Sequence, residues 1–96
     1  MITILVSHRV ADYDEWKAAY DRIDAGPLAS NVRSYRIWRD LDDPSLVIVA
    51  ETFETREIAE TAFAQPELLE EIANAGVDMT SVEVHYLEEL ATATKP

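Results

Sequence analysis

The sequence predicts an α+β domain whose elements follow the order β-α-β-β-α-β. Its first and last apolar stretches alternate in the period of two that strands have. Two central apolar runs flank a short segment of turn-forming residues, which is typical of a hairpin. Apolar residues at helical spacing follow both the first strand and the hairpin. At 96 residues the chain is long enough for one modest hydrophobic core.

The first strand and the first helix have the clearest patterns. Ile2 to Val10 alternates, so His8 shares one face with the apolar residues at positions 2, 4, 6 and 10. Asp12 is predicted to cap the following helix, with Glu15 reaching back as the second half of a capping box. Gly26-Pro27 ends the helix. Its apolar stripe consists of Trp16, Ala19, Tyr20 and Ile23.

The hairpin is predicted from two strands, Val32 to Arg39 and Leu46 to Phe53. If all of residues 40–45 form the loop, Arg39 lies opposite Leu46. In that register Thr52 faces the helices and Glu51 faces away from them. A slip of one residue would exchange the two sides of one strand relative to its partner.

The second half of the chain returns to the order helix, then strand. Thr55 is predicted to cap a helix that Pro66 interrupts, and Pro66 itself suits the first turn of a new helix. Gly76 ends the helical pattern. The last strand is predicted from Ser81 to Leu90.

These elements predict the ferredoxin-like arrangement, a four-stranded antiparallel sheet with both helices on one face. We expect a single domain over residues 1–90 and a flexible tail over residues 91–96. The uncovered sheet face is too apolar for water, so we expect a homodimer in which two sheets pack face to face. An Arg36–Glu51 salt bridge is expected on that face. The residues predicted there are Ser34, Arg36, Trp38, Glu51 and His85.

The composition excludes several classes of partner. With 19 acidic and 8 basic residues the net charge is -11, which repels nucleic acid and anionic membranes. No segment approaches the roughly 20 apolar residues of a membrane span. The absence of cysteine excludes disulfides and thiolate metal sites. The N-terminus enters a strand pattern without signal-peptide features, and we expect a cytoplasmic protein.

Several short segments resemble one known family. His8 to Trp16 is similar to its opening motif, H-x-V-x-D-Y-x-x-W. The other segments are Tyr35 to Arg39, Asp42 to Pro44, the Val-rich strand that ends in Glu51, and Gln65 to Leu68. Over nearly its whole length the chain resembles the antibiotic biosynthesis monooxygenase superfamily. The resemblance implies a dimeric α/β barrel with one ligand cleft per subunit, between the sheet and the helices.

The resemblance also implies which residues line the cleft. His8 is the candidate catalytic residue, because a neutral imidazole can act as general base on an acidic phenol or enol. A histidine that is merely hydrogen-bonded to a tyrosine or a backbone carbonyl is the alternative. The expected substrate-binding residues are Trp16, Tyr20, Tyr35, Thr52 and Tyr86. Aromatic side chains at such spacing also occur as ordinary core.

Two functions are consistent with the residues and the resemblance. One is a cofactor-independent monooxygenase or cyclase-like enzyme that acts on a small aromatic or polyketide-like molecule. The other is a non-catalytic homodimer that binds a small ligand or serves as an accessory protein. Neither a metal nor a cofactor is expected, because the chain has two histidines, no cysteine and no phosphate-binding glycine loop. Haem-degrading members carry a histidine on the second helix, and this chain has none there.

Overall fold

The computed structural model describes all residues from 1 to 96 and has the predicted order of strands and helices. The strands are β1 (Ile2–Val10), β2 (Ser34–Arg39), β3 (Leu46–Phe53) and β4 (Val77–Leu87). The α-helices are α1 (Tyr13–Asp24), α2 (Arg56–Phe63) and α3 (Pro66–Asn74). One antiparallel sheet has the order β2-β3-β1-β4. The predicted α+β, ferredoxin-like fold is confirmed.

The helix ends follow the predicted caps, with one exception. Asp12 Oδ1 accepts a hydrogen bond from the Glu15 amide at 3.0 Å, and Thr55 Oγ1 accepts one from the Ile58 amide at 3.2 Å. No bond returns from the Glu15 side chain, so the predicted capping box is wrong and Asp12 caps α1 alone. Gly76, with φ of 86°, lies in the left-handed region and turns the chain from α3 into β4.

The hairpin register differs from the prediction by one residue. Arg39 pairs with Val47, whereas the prediction placed it opposite Leu46. The cause lies in the loop, where the Asp40 amide donates to the Leu46 carbonyl at 3.0 Å and so extends the strand pairing. The Asp40 carboxylate in turn accepts from the Asp43 amide at 2.8 Å. These bonds shorten the loop by one residue.

The shifted register exchanges the two faces of β3. Val47, Val49, Glu51 and Phe53 face the helices, and Leu46, Ile48, Ala50 and Thr52 face away. The predicted positions of Glu51 on the open face and of Thr52 on the helix-facing side are therefore both wrong. The predicted Arg36–Glu51 salt bridge does not form. Instead the Arg36 guanidinium lies over the Trp38 ring, 5.0 Å from its centroid.

β4 starts four residues earlier than predicted and bulges beside β1. Residues 79–82 of β4 stand opposite His8 alone. Ser81 Oγ fixes the bulge, because it accepts from the Arg9 amide at 2.8 Å and donates to the Asp78 carbonyl at 2.6 Å. Bulges of this kind bend a strand and redirect its side chains.

The helices cover one face of the sheet. Two buried clusters lie beneath them, one around Ile4 and Phe53 and the other around Trp16 and Val47. On the uncovered face, Trp38 and Leu87 are each 42% exposed.

The chain beyond β4 has no regular secondary structure. Residues 88–96 are exposed and form neither helix nor strand. The division near residue 90 into a domain and a flexible tail stays a prediction. None of the three α-helices combines the length and the apolarity needed to cross a bilayer.

Candidate functional site

A cavity of about 300 Å³ lies between the sheet and the helices. Hydrophobic side chains contribute 19 of its 21 lining residues, and the two others are His8 and Glu51. This volume is at the lower end of the range for small-molecule sites, and the combination of apolar walls with a few polar groups is typical of them. The hydrophobic lining residues are Val6, Trp16, Tyr20, Ile23, Leu28, Ala29, Val32, Val49, Phe53, Ala62, Phe63, Leu68, Leu69, Ile72, Ala75, Met79, Val82, Val84 and Tyr86.

His8 occupies the cavity wall on β1, an inner strand of the sheet. Its side chain is 5% exposed, and its Nδ1 atom is buried without a hydrogen-bond partner. Burial lowers the pKa of His8 below 6.5, and its own backbone group offsets part of that effect. The imidazole is therefore neutral near pH 7 and able to accept a proton.

The β4 bulge shapes the cavity beside His8. Met79 and Val82, at the two ends of the displaced segment, both line the cavity. Met79 is 43% exposed, so this side of the cavity borders on solvent. The bulge thus gives His8 a flexible apolar neighbour at the cavity edge in place of a regular strand contact.

The second polar group on the cavity wall is the carboxyl group of Glu51 on β3, which is hydrogen-bonded to Tyr20 on α1. Tyr20 Oη donates to Glu51 Oε2 at 2.5 Å. Burial raises the pKa of Glu51, the Tyr20 bond lowers it, and the charge of Asp24 raises it further. The pKa of Tyr20 is raised far above its ordinary value by burial and by the negative charge of Glu51. Tyr20 therefore stays protonated and acts as a donor.

Aromatic rings form a continuous row along α1. Trp16 contacts Tyr13 at a centroid distance of 5.8 Å and Tyr20 at 5.3 Å. Tyr20 contacts Tyr35 on β2 at 5.1 Å. Elsewhere on the helix-facing surface of the sheet, the Arg56 guanidinium lies over the Tyr86 ring, 4.8 Å from the ring centroid. Offset and edge-on arrangements of this kind fix ring positions, which suits a wall for a flat ligand.

The structure brings most of the predicted site residues together. His8, Trp16, Tyr20 and Tyr86 all line the cavity. Tyr35 contacts Tyr20 but is 38% exposed and lies outside the cavity lining.

Thr52 is the predicted site residue that the structure moves away. It lies on the uncovered face, where its hydroxyl is 2.6 Å from that of Ser34. Glu51 takes its place in the cavity and was missed. A usable signal was the end of β3, because Phe53 belongs with the core and therefore places Glu51 on the same side.

No three histidine or carboxylate side chains come together as a group that could hold a metal ion. The cavity is instead suited to a ligand that is mostly apolar. Its two polar residues provide one neutral base and one carboxyl group.

No family model and no curated protein matches this chain by sequence. Solved structures do match. A mutant of SnoaB, a cofactor-independent oxygenase from Streptomyces nogalater, aligns with a TM-score of 0.75 at 16% identity. That alignment covers 98% of this chain and 97% of SnoaB.

Two further structures show the same similarity. An antibiotic biosynthesis monooxygenase aligns with a TM-score of 0.70 at 13% identity, covering 95% of this chain and all of its own. The protein At3g17210 from Arabidopsis thaliana aligns with a TM-score of 0.72 at 16% identity, covering 98% of this chain and 100% of its own. The chain therefore has the ferredoxin-like fold of the antibiotic biosynthesis monooxygenase structures, at identities that establish the fold alone.

Proposed function

We propose that this chain binds a small, flat, largely apolar molecule between its sheet and helices, and that His8 removes a proton from it. One observation carries the proposal: a buried histidine, whose pKa burial lowers, on the wall of an otherwise apolar cavity of about 300 Å³. A neutral imidazole at this place can accept a proton from a bound ligand. Nδ1 is sealed, so Nε2 is the ring nitrogen that would accept the proton.

The reactions that suit this site are cofactor-independent oxygenation and cyclisation of a small aromatic or polyketide-like molecule. Transfer of a proton from a phenol or enol to His8 leaves an electron-rich anion. In oxygenation, a CH₂ group of that anion reduces dioxygen, so that one oxygen atom becomes a carbonyl and the other leaves as water. In cyclisation, the anion attacks a carbonyl carbon of the same molecule. Fold similarity to SnoaB, a cofactor-independent oxygenase, supports the first reaction.

A non-catalytic ligand-binding homodimer is the second candidate. Its support comes from the surroundings of His8. The aromatic neighbour of the imidazole is Trp16, and no protein group is hydrogen-bonded to Nδ1. No partner at Nδ1 would therefore carry a proton away from the imidazole. The open cavity, which Trp16, Tyr20 and Tyr35 do not fill, suits a ligand binder as well as an enzyme. We favour the enzyme because the histidine on the cavity wall is neutral and able to accept a proton.

We also propose that the uncovered sheet face binds a second copy of this chain. One copy alone buries 13 of its 96 residues and leaves Trp38 and Leu87 each 42% exposed. Ser34, Arg36 and His85 share this face with them, whereas Glu51 does not. An apolar patch with a few polar groups is typical of a homodimer interface.

The proposed activity is tested with a panel of hydroxylated one- to three-ring aromatics, by dioxygen consumption and by product mass under labelled dioxygen. We expect at least one compound to react, and His8→Ala to lower turnover by about 10²-fold or more while the compound still binds. His85→Ala is the matched control and is expected to leave turnover unchanged, because His85 lies on the opposite sheet face.

Two outcomes would count against the proposal. If His8→Ala turned over a compound at the wild-type rate, His8 would not be the base. Binding of the panel without any turnover would leave the non-catalytic ligand binder as the function.

A further inference from the structure

Glu51 is a second polar position in the cavity, well separated from His8. β1 and β3 pair so that Glu51 lies beside Ile4 and His8 lies beside Val47. The two polar residues are thus four positions apart along adjacent strands, or about 13 Å at ~3.3 Å per residue. Both face the same cavity, so they stand towards its opposite ends.

The carboxyl group of Glu51 has one oxygen in use and one available. Oε2 accepts the Tyr20 hydroxyl bond, and no protein group donates to Oε1. His8 Nδ1 is the one buried side-chain nitrogen or oxygen atom that has no hydrogen-bond partner. Glu51 Oε1 also lacks a donor but is not such a buried atom, so it is accessible. No lysine or arginine forms a salt bridge with Glu51, and the charge that acts on it is the negative one of Asp24. An acceptor oxygen without a counter-charge therefore borders an apolar cavity.

We propose that Glu51 Oε1 anchors a hydrogen-bond-donating group of the ligand, a hydroxyl or an amine N–H, at the end away from His8. The proposal rests on the ligand site proposed above and narrows its ligand class. The molecule is flat and apolar along its middle, has an acidic hydroxyl or enol at the His8 end, and has a donor at the Glu51 end. Tyr20 acts as a positioning residue, because its bond holds Oε2 and directs Oε1 to the ligand.

This arrangement selects against ligands that lack the second donor. A ligand with only hydrocarbon at that end would remove water from Oε1 and give it no partner. Sites built to hydrogen-bond a substrate group discriminate strongly against analogues without that group. We expect a preference of tenfold or more for the two-ended ligand.

The test compares naphthalene, naphthol and dihydroxynaphthalene with hydroxyls at opposite ends. Each is titrated by calorimetry into the full chain at a pH above the folded pKa of Glu51, where the carboxyl group is ionised and Oε1 is an acceptor. The wild type is expected to bind the dihydroxy compound at least tenfold more tightly than naphthol. In Glu51→Gln the Tyr20 hydroxyl occupies the amide oxygen, so an NH₂ donor faces the ligand and this preference disappears. Glu70→Gln removes the same charge from an exposed position on α3 and keeps the preference.

A companion ligand and a second variant sharpen the result. Replacing the second hydroxyl by a methoxy group, an acceptor only, is expected to favour Glu51→Gln over the wild type. Tyr20→Phe frees Oε2, and we expect this variant to keep the preference for a ligand with a donor. If the Tyr20 hydroxyl itself contacted the ligand, the variant would lose that preference.

The two levels of the proposal fail in different ways. Equal wild-type affinity for naphthol and dihydroxynaphthalene, or a preference that survives in Glu51→Gln, overturns the anchor and leaves the ligand site standing. Failure of all three compounds to bind the folded wild type overturns the ligand site and the anchor together.

Discussion

The imidazole of His8 meets the indole of Trp16 edge to face, with ring centroids 5.5 Å apart and planes inclined by 65°. The contact joins the inner strand β1 to helix α1 and shields the imidazole from water. Removal of water from the imidazole favours its neutral form, in agreement with the lowered pKa of His8.

The first prediction concerns the titration of His8. Its pKa, followed by NMR of the imidazole protons, is expected below 6.5 because charging the ring requires burying a cation. The unfolded chain then binds this proton first, so the unfolding free energy decreases as pH falls below about 6.5. His85→Gln assigns the signal, because it leaves one histidine in the chain. A His8 pKa at or above 6.5 contradicts the burial argument.

The second prediction concerns Glu51 and stability at different pH values. Its raised pKa means that the folded protein keeps this proton above pH 4.5, where the unfolded chain releases it. Stability from the neutral carboxyl group is complete below pH 4.5 and is lost as pH rises through the folded pKa. Glu51→Gln is therefore expected to gain stability relative to the wild type between pH 4.5 and 8, in urea unfolding.

Glu70→Gln is the control for that measurement, since it changes net charge equally at an exposed position. If both variants gain equally, general charge repulsion and not the burial of Glu51 is the cause.

The third prediction compares two neighbouring tyrosines. Tyr20→Phe leaves a part-buried carboxyl oxygen of Glu51 without its donor and is expected to cost about 1–3 kcal/mol, the range for an unsatisfied buried polar group. It should also raise the pKa of Glu51 further, because that bond lowers it. Tyr35→Phe, in the same aromatic row but 38% exposed, is expected to cost less than about 0.5 kcal/mol. If chemical denaturation showed that both variants lose a similar amount of unfolding free energy, the Tyr20 bond would have no special role.

The fourth prediction tests whether the cavity is the ligand site. Ala62 on α2 is buried and lines the cavity, so Ala62→Leu extends an apolar side chain into it. We expect unchanged or higher stability, by up to about 2 kcal/mol, together with loss of aromatic ligand binding. Ala18→Leu adds the same groups on the exposed side of α1 and should bind normally. Undiminished binding by Ala62→Leu would place the ligand elsewhere.

The fifth prediction tests the second copy on the uncovered sheet face. Trp38→Asp introduces a charge into the proposed interface and is expected to convert a dimer to a monomer at micromolar concentration, by sedimentation analysis. Leu41→Asp makes a comparable change at a loop residue that is 99% exposed, and should remain dimeric. A wild-type chain that sediments as a monomer is evidence against the dimer.

The contrast between β1 and β3 explains how much of the site was predictable. β1 alternates without interruption, and this places His8 on the core side. The first half of β3 is apolar on both faces, so alternation does not distinguish them there. The choice then depended on the loop length, which the hydrogen bonds of Asp40 shorten by one residue. Loop chemistry thus decided whether Glu51 or Thr52 entered the cavity.

The β4 bulge was unpredictable for a different reason. The segment from Asp78 to Ser81 has neither helical nor strand spacing, and its position is fixed by the Ser81 bonds to Arg9 and Asp78. Those bonds connect residues far apart in sequence, which periodicity does not detect. By contrast the caps at Asp12 and Thr55 are local, and the sequence predicted both.

The sheet order has a consequence for how the cavity of such a protein could change shape over evolutionary time. His8 and Glu51 both belong to inner strands, each hydrogen-bonded to a neighbour on either side. Met79 and Val82 belong to an outer strand, in a stretch that is already out of register. Insertions and substitutions in that outer stretch can remodel the entrance at small structural cost. His8 and Glu51 would keep their positions meanwhile, so the cavity can take a new shape around two fixed polar groups.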